Sequence, residues 1–224
     1  MILQAKNLGK EYRREAKTFY AVKGINLAIQ EEDFIGIIGA SGSGKSTLLR
    51  LLCNLSRPTE GNVKWAAKDP SDQRLSETPA IAPGMIGYVS QGMELLEGFT
   101  VLENVCMPFF LQKKKADRRK AEEMIERVGL GSVMHASPAG LSGGECRRVA
   151  IIRALIMQPV LLIADEPTGS LDEKNAGKVM ELLRQVHDQG VAVVMSTHDT
   201  RMLSDAKRIL QMEDGRLLEE RMEG

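Results

Sequence analysis

Apolar positions near the start of the chain, Ile2 to Leu8 and Val22 to Ile29, alternate or cluster between polar turns and predict strands of an antiparallel N-terminal layer. Phe34-Ile35-Gly36-Ile37-Ile38 is a short apolar run, predicted as a buried strand that ends directly at a glycine-rich turn. Helical spacing follows over Lys45 to Cys53, with Leu48, Leu49, Leu51 and Leu52 as its apolar positions. Met85 to Val89 predicts another strand, with Gln91 just past its end. Val101 to Phe110 and Asp117 to Val128 then predict a mainly α-helical middle. A helix from Gly143 or Gly144 to Met157 comes next, then a strand over Val160 to Ala164, a helix from about Glu173 to Asp188 and a strand over Val191 to Ser196. Strands alternating with helices predict an α/β fold with a largely parallel sheet wrapped by helices. The proline-punctuated segment Pro58 to Pro83 reads as an irregular, loop-rich excursion.

Composition narrows the classes. The 224 residues, 43% of them hydrophobic, suffice for one large α/β domain or two small ones with a substantial core. Thirty Lys plus Arg balance thirty Asp plus Glu, so no global basic field argues for nucleic acid or an anionic membrane face; membrane attachment is expected through a protein. Cys53, Cys106 and Cys146 are odd in number and widely spaced, fitting neither a disulfide framework nor a zinc motif and predicting a reducing cytoplasm. The N-terminus lacks the pattern of a signal peptide, and no apolar run approaches the ~18 residues needed to cross a bilayer. Lys113-Lys114-Lys115 and Arg118-Arg119-Lys120 form a basic cluster, read as a solvated helical face with a phosphate-binding patch as the alternative.

Two segments have the chemistry of phosphate recognition. Gly39-Ala40-Ser41-Gly42-Ser43-Gly44-Lys45-Ser46 fits the Walker A pattern GxxxxGK[ST] between a predicted strand and a predicted helix, with Thr47 following. Its glycines let successive backbone N–H groups face a phosphate, the helix adds its positive end, Lys45 supplies a mobile cation, and the Ser46 hydroxyl is placed to ligate Mg²⁺. Leu161-Leu162-Ile163-Ala164-Asp165-Glu166 has the Walker B form, an apolar strand delivering carboxylates at its end. Asp165 is expected to hold magnesium through its water shell and Glu166 to orient and polarise the attacking water. The second glycine turn is Leu141-Ser142-Gly143-Gly144-Glu145.

That turn resembles the LSGGQ signature of ATP-binding-cassette (ABC) ATPases, a P-loop NTPase fold with an antiparallel β layer and an α-helical subdomain, and the resemblance covers almost the whole chain. It implies a single domain: a core and β layer over about 1–91 and 159–224, and a helical subdomain over about 92–158. It also implies that Ser142, Gly143 and Gly144 face the γ-phosphate held by the Walker A loop of a second copy, so that a homodimer sandwiches two ATP. By the same resemblance Gln91 is the Q-loop glutamine, a Mg²⁺ sensor with a catalytic role, and Asp172, in Ser170-Leu171-Asp172, reaches across the dimer. His198, in Ser196-Thr197-His198-Asp199, is the switch histidine on the γ-phosphate. Tyr12 stands where the family stacks an aromatic on adenine, with Phe19 and Tyr20 as rivals.

Departures from the family are Glu145 for the usual glutamine, Cys146-Arg147 for the polar pair that often follows, Glu32-Asp33 for Gly-Glu, and a divergent stretch from Trp65 to Pro83. Without a span, a transporter would need its permease on separate chains, which implies a peripheral location on the inner face of the membrane. Met93, Leu95, Leu96 and Phe99 are offered either as contacts for that permease or as ordinary core. Phe99 to Val105, Pro108 and Glu166 to Asp172 look most like the branch of lipoprotein-release, macrolide-export, antimicrobial-peptide-resistance and cell-division ATPases. The leading expectation is the ATPase of a membrane transporter or mechanotransmission complex. The alternative is an ATPase regulator of a cell-division or peptide-sensing complex without cargo. The chain carries neither the paired cassettes of a translation ATPase nor the long coiled coil of a chromosome-maintenance ATPase, and Lys45, Glu166 and His198 argue against an inactive cassette.

Overall fold

The computed structural model describes residues 1–14, 17–66, 75–76, 84–92 and 95–222. Its centre is a six-stranded sheet in the order β10-β9-β3-β8-β7-β6. Here β3 is Phe34–Ile38, β6 Ile86–Val89, β7 Leu161–Asp165, β8 Ala192–Thr197, β9 Arg208–Glu213 and β10 Arg216–Met222. The five strands from β9 to β6 run parallel, and β10 folds back antiparallel to β9. Strands β3, β7 and β8 are covered on both faces, which is why they read as continuous apolar runs.

Alternate residues of those strands feed two cores. Ile35, Ile37, Leu161, Ile163 and Val194 face α1 (Lys45–Leu52), whose Leu48, Leu49, Leu51 and Leu52 fill the gap to a second sheet. That sheet is antiparallel and ordered β2-β1-β4-β5, with β1 at Leu3–Arg14, β2 at Lys17–Ile29, β4 at Glu60–Ala66 and β5 at Leu75–Ser76. Phe34, Leu162, Ala164, Val193 and Met195 point the other way, onto α4 (Gly143–Leu155) and α5 (Glu173–Asp188). Helix α4 also packs through Val149, Ile152 and Ile156 against α2 (Val101–Leu111) and α3 (Arg118–Arg127), so it belongs to both clusters.

The expectation of an irregular Pro58–Pro83 segment is corrected by β4. Val63 and Trp65 alternate inward and pair with Ala5 and Leu3 of β1, and the Trp65 indole N–H donates to the Leu52 carbonyl at 3.1 Å. A neighbouring strand edge in need of partners overrode the turn-forming Gly61 and Asn62. Residues 67–74 and 77–83, most of the divergent stretch, lie outside the described residues.

Caps set the helix starts. Thr100 and Glu103 form a reciprocal capping box on α2, Ser142 and Glu145 do the same on α4, and Asp172 caps α5. Buried Asn104 fastens the turn before α2, donating to the carbonyls of Leu96 (3.0 Å), Phe99 (3.3 Å) and Thr100 (3.0 Å). Among the described residues no helix is long and apolar enough to cross a membrane.

Candidate active site

The carboxyl ends of four parallel strands open onto one region, the place where α/β sheets bind ligands. From β3 the chain enters the loop Gly39 to Gly44 and turns into α1. Gly44 has φ +106°, and a Cβ there would stand 2.0 Å from the Ala21 carbonyl; one on Gly39 would stand 2.2 Å from the Met212 carbonyl. Only glycine lets this loop lie so close to β2 and β9. The Gly215 N–H donates to the Ser43 carbonyl at 3.0 Å, clasping the loop from the β9–β10 turn. The Ser43 hydroxyl is buried without a hydrogen-bond partner among the described residues, a donor suited to an incoming phosphate oxygen.

Lys45 is 5% exposed and its Nζ donates to the carbonyls of Gly39 (2.7 Å) and Ala40 (3.0 Å). Glu166 Oε1 is 4.0 Å from that Nζ, and Glu166 Oε2 is 3.3 Å from Gln91 Nε2 and 3.4 Å from His198 Nδ1. The structure therefore brings Lys45, Gln91, Glu166 and His198, from four different strand ends, around one carboxylate. Glu166 itself has φ +46°, a left-handed conformation uncommon for a side-chain-bearing residue.

Sequence reasoning missed the group that organises this centre. Fully buried Ser196, near the end of β8, donates from Oγ to Asp165 Oδ1 at 2.7 Å and accepts the Glu166 backbone N–H at 2.9 Å. One hydroxyl thus orients both Walker B acids. Its signal was present, a polar residue in an otherwise apolar buried strand.

An open cleft of about 570 Å³ runs from this centre past Ser46 and Thr47 to Tyr12 and Phe19. Those two rings stack with centroids 5.9 Å apart across the β1–β2 ladder, and Lys10 Nζ lies 5.2 Å over Tyr12. Tyr20 is bonded through its hydroxyl to Glu60 at 3.1 Å and does not line the cleft, so of the three aromatics Tyr12 and Phe19 present their rings to it.

Of the oxygens expected to face a cation, those of Ser46 and Gln91 belong to residues lining the cleft, and the Asp165 carboxylate ends β7 with its Oδ1 accepting from Ser196. Among the described residues no cluster of three or more His, Cys, Asp or Glu could hold a metal by itself. A hard, oxygen-only and incomplete donor set, to be finished by phosphate and water, fits Mg²⁺.

The signature turn stands apart. Ser142 is exposed and does not line the cleft. Its N–H and Oγ–H donate to Glu145 Oε2 at 2.8 and 2.7 Å, and these bonds hold the Glu145 carboxyl below its ordinary range. Asp172 Oδ1 accepts the Asn175 N–H at 2.9 Å, which likewise lowers its carboxyl. Leu95 is partly buried in the core, whereas Leu96 and Phe99 are exposed; Met93 lies outside the described residues.

A phosphate loop after β3, paired acids after β7, the next strand but one in the sheet, and a histidine after the β8 between them define an ATPase built on a parallel sheet. Residues 22–169 match the ABC transporter family. The chain is 40% identical over 219 residues to the lipoprotein-releasing system ATP-binding protein LolD of Alcanivorax borkumensis, covering 96% of each. It is 38% identical over 221 residues to the macrolide export ATP-binding/permease protein MacB of Chlorobaculum tepidum, covering 98% of this chain and 34% of that one. A solved dimeric ATP-binding cassette, in a post-hydrolysis state with ADP and Pi bound, superimposes with a TM-score of 0.88 at 34% identity and full coverage of both chains. The chain belongs to the ABC transporter family, as an ATP-binding cassette that hydrolyses ATP.

Proposed function

We propose that this cassette works as a homodimer closed around two ATP, and that opening and closing of the dimer drives a separate membrane permease in export, lipid or lipoprotein extraction, or mechanotransmission. The observation that carries the reading is the division of the site. One protomer gathers Lys45, Gln91, Glu166 and His198 on its own cleft, yet presents Ser142 on a surface away from it. At this helix start the Ser142 N–H is taken by Glu145. The first-turn N–H groups of Gly143 and Gly144 have no partner within the helix and add to its positive end, which suits a phosphate supplied from another chain.

In this reading the loop residues Gly39 to Thr47 cradle the phosphates of ATP, Tyr12 and Phe19 stack on adenine, and Asp172 meets the partner. Ser46, Gln91 and Asp165 would hold Mg²⁺, which would supply neutralisation of the phosphate charge. Glu166 aligns the attacking water and draws its proton, while Lys45 and His198 stabilise charge on the γ-phosphate oxygens. Gln91, bonded to Glu166, reports whether that carboxylate is in place. The domain division follows: core and β layer about 1–91 and 159–224, helical subdomain about 92–158.

Docking to the permease, and with it a peripheral location on the inner face of the membrane, is supported by a groove of about 270 Å³ between β6, α2 and α4, lined by Tyr88, Met107, Pro108 and Met157. Phe110 and Leu111, 55% and 78% exposed, stand at its α2 edge. Two measurements test the proposal. Glu166→Gln should bind ATP and elute as a dimer only with ATP, and wild-type protein recovered from native membranes should carry an integral-membrane partner. A variant that stays monomeric with ATP, or turns over like wild type, defeats the reading.

A further inference from the structure

The interior of α4 contains a charge that the catalytic scheme above does not use. Arg147 lies five residues past the helix cap Ser142 and is 3% exposed. Its Nη1 donates to the Ser90 carbonyl at 2.7 Å and its Nη2 to the Gln91 carbonyl at 2.9 Å. Its Nε has no hydrogen-bond partner among the described residues. Burial pushes the guanidinium's pKa down, and the negative charge of Asp165 opposes that shift. Burying an arginine on two carbonyls is costly, and a side chain chosen only to fill space there would be apolar. What the guanidinium adds is a two-pronged tie of fixed geometry.

The tie joins two segments far apart in sequence. On one side is the helix whose first residues present Ser142, and whose Gly144 packs directly on Asn175 of α5. On the other is the end of β6, where Gln91 leaves the strand and reaches Glu166 Oε2 with its amide. A continuous set of bonds therefore runs from the Ser142 cap through α4 to Arg147, across to the Gln91 backbone, and through the Gln91 amide to the carboxylate that aligns water.

Resting on the dimer reading, we propose that Arg147 is a positioning residue that couples the two nucleotide sites. It binds the element that engages the partner's ATP to the element that completes the protomer's own site. When Ser142 seats on the partner's γ-phosphate, α4 moves as a rod, and Arg147 carries the Gln91 backbone with it. Two elements joined in this way share one equilibrium, so each nucleotide biases the other.

The experiment uses the full chain in the Glu166→Gln background, where hydrolysis does not empty the site. Three quantities are compared for the parent, Arg147→Ala and Arg147→Lys: affinity for a fluorescent ATP analogue at concentrations below dimerisation, the dimer dissociation constant with ATP by sedimentation, and the thermal midpoint. Arg147→Ala should raise the dimer dissociation constant by about 10- to 100-fold, the usual range of a coupling factor. Monomer affinity should stay within about twofold, because P-loop and base contacts are untouched, and Arg147→Lys, which reaches one carbonyl, should fall between. Both variants dimerising like the parent overturns the proposal. So does a loss of dimerisation matched by an equal loss of monomer affinity, the mark of a merely structural role. If Arg147→Ala fails to fold, Arg147→Lys decides alone. A parent that does not dimerise with ATP overturns the dimer reading and this inference together, and is recognised because it appears without any change at Arg147.

Discussion

Ser196→Ala removes a single oxygen and leaves a fully buried methyl in its place. Two bonds go with it, the donation to the Asp165 carboxylate and the acceptance of the Glu166 N–H. A hydrogen bond to a charged group contributes about 1.5–3 kcal/mol, and a polar group left without its partner costs about 1–3 kcal/mol. Because the two share one atom and do not add fully, the expected loss of stability is about 2–4 kcal/mol. The rate consequence is larger than the stability change suggests. Glu166 sits in a left-handed backbone well that costs on the order of 1–3 kcal/mol and persists because its surroundings hold it there. Released from Ser196, the backbone relaxes and the carboxylate shifts, and a displacement of about 1 Å at a reacting group costs about 10²-fold. Urea denaturation should show a lower midpoint with unchanged slope, and steady-state ATPase assays a kcat about 10²-fold lower with KM for ATP within a few-fold. A variant with wild-type midpoint and kcat within twofold of wild type would refute the reasoning.

Four further outcomes are expected. Glu166→Gln should lower ATP turnover by on the order of 10²–10⁴-fold while ATP still binds, as read by steady-state rate and equilibrium binding. Gly44→Ala places a Cβ 2.0 Å from the Ala21 carbonyl at a φ of +106°, so calorimetry should show ATP affinity largely gone while the far-UV signal of the remaining fold persists. The largely buried pair Asp33–Arg208, 2.6 Å apart, predicts that Asp33→Ala costs about 2–3 kcal/mol in denaturation, whereas Glu31→Gln, at the exposed N-terminal contact, costs under about 0.5 kcal/mol. Arg201 lowers the Asp199 carboxyl to about 2 from 3.8. A depressed acid stabilises the fold above its unfolded value and loses that contribution as pH falls through its folded value. Asp199→Asn should therefore lower stability slightly near neutrality and flatten the profile between about pH 4 and 2, so that variant and wild type converge in acid.

Much of the central sheet could be read from residue order, because strands buried on both faces write themselves as unbroken apolar runs such as Leu161 to Ala164. The amphipathic helices were equally visible, with α5 spanning the expected Glu173 to Asp188. Strand β4 was hidden because what makes it a strand is the edge of β1, a partner many residues away. The hairpin β9–β10 has a local signal in the sequence: Asp214 and Gly215, both at positive φ, form the turn between alternating runs. At the site, the Walker motifs named Lys45, Asp165 and Glu166 and the family resemblance added His198, but neither gave the atoms between them. Ser196 and Arg147 act through bonds to other residues' backbone, and the spacing of a motif does not encode where a distant carbonyl will lie.

The clasp on the phosphate loop orders events in time as well as in space. Gly39 rests against Met212, and Ser43 is held by Gly215, residues made long after the loop they support. Residues 39–46 emerge with β2 already made beside Gly44, yet lack their other support until the β9–β10 hairpin follows. A nascent chain halted before that hairpin should therefore be unable to retain nucleotide.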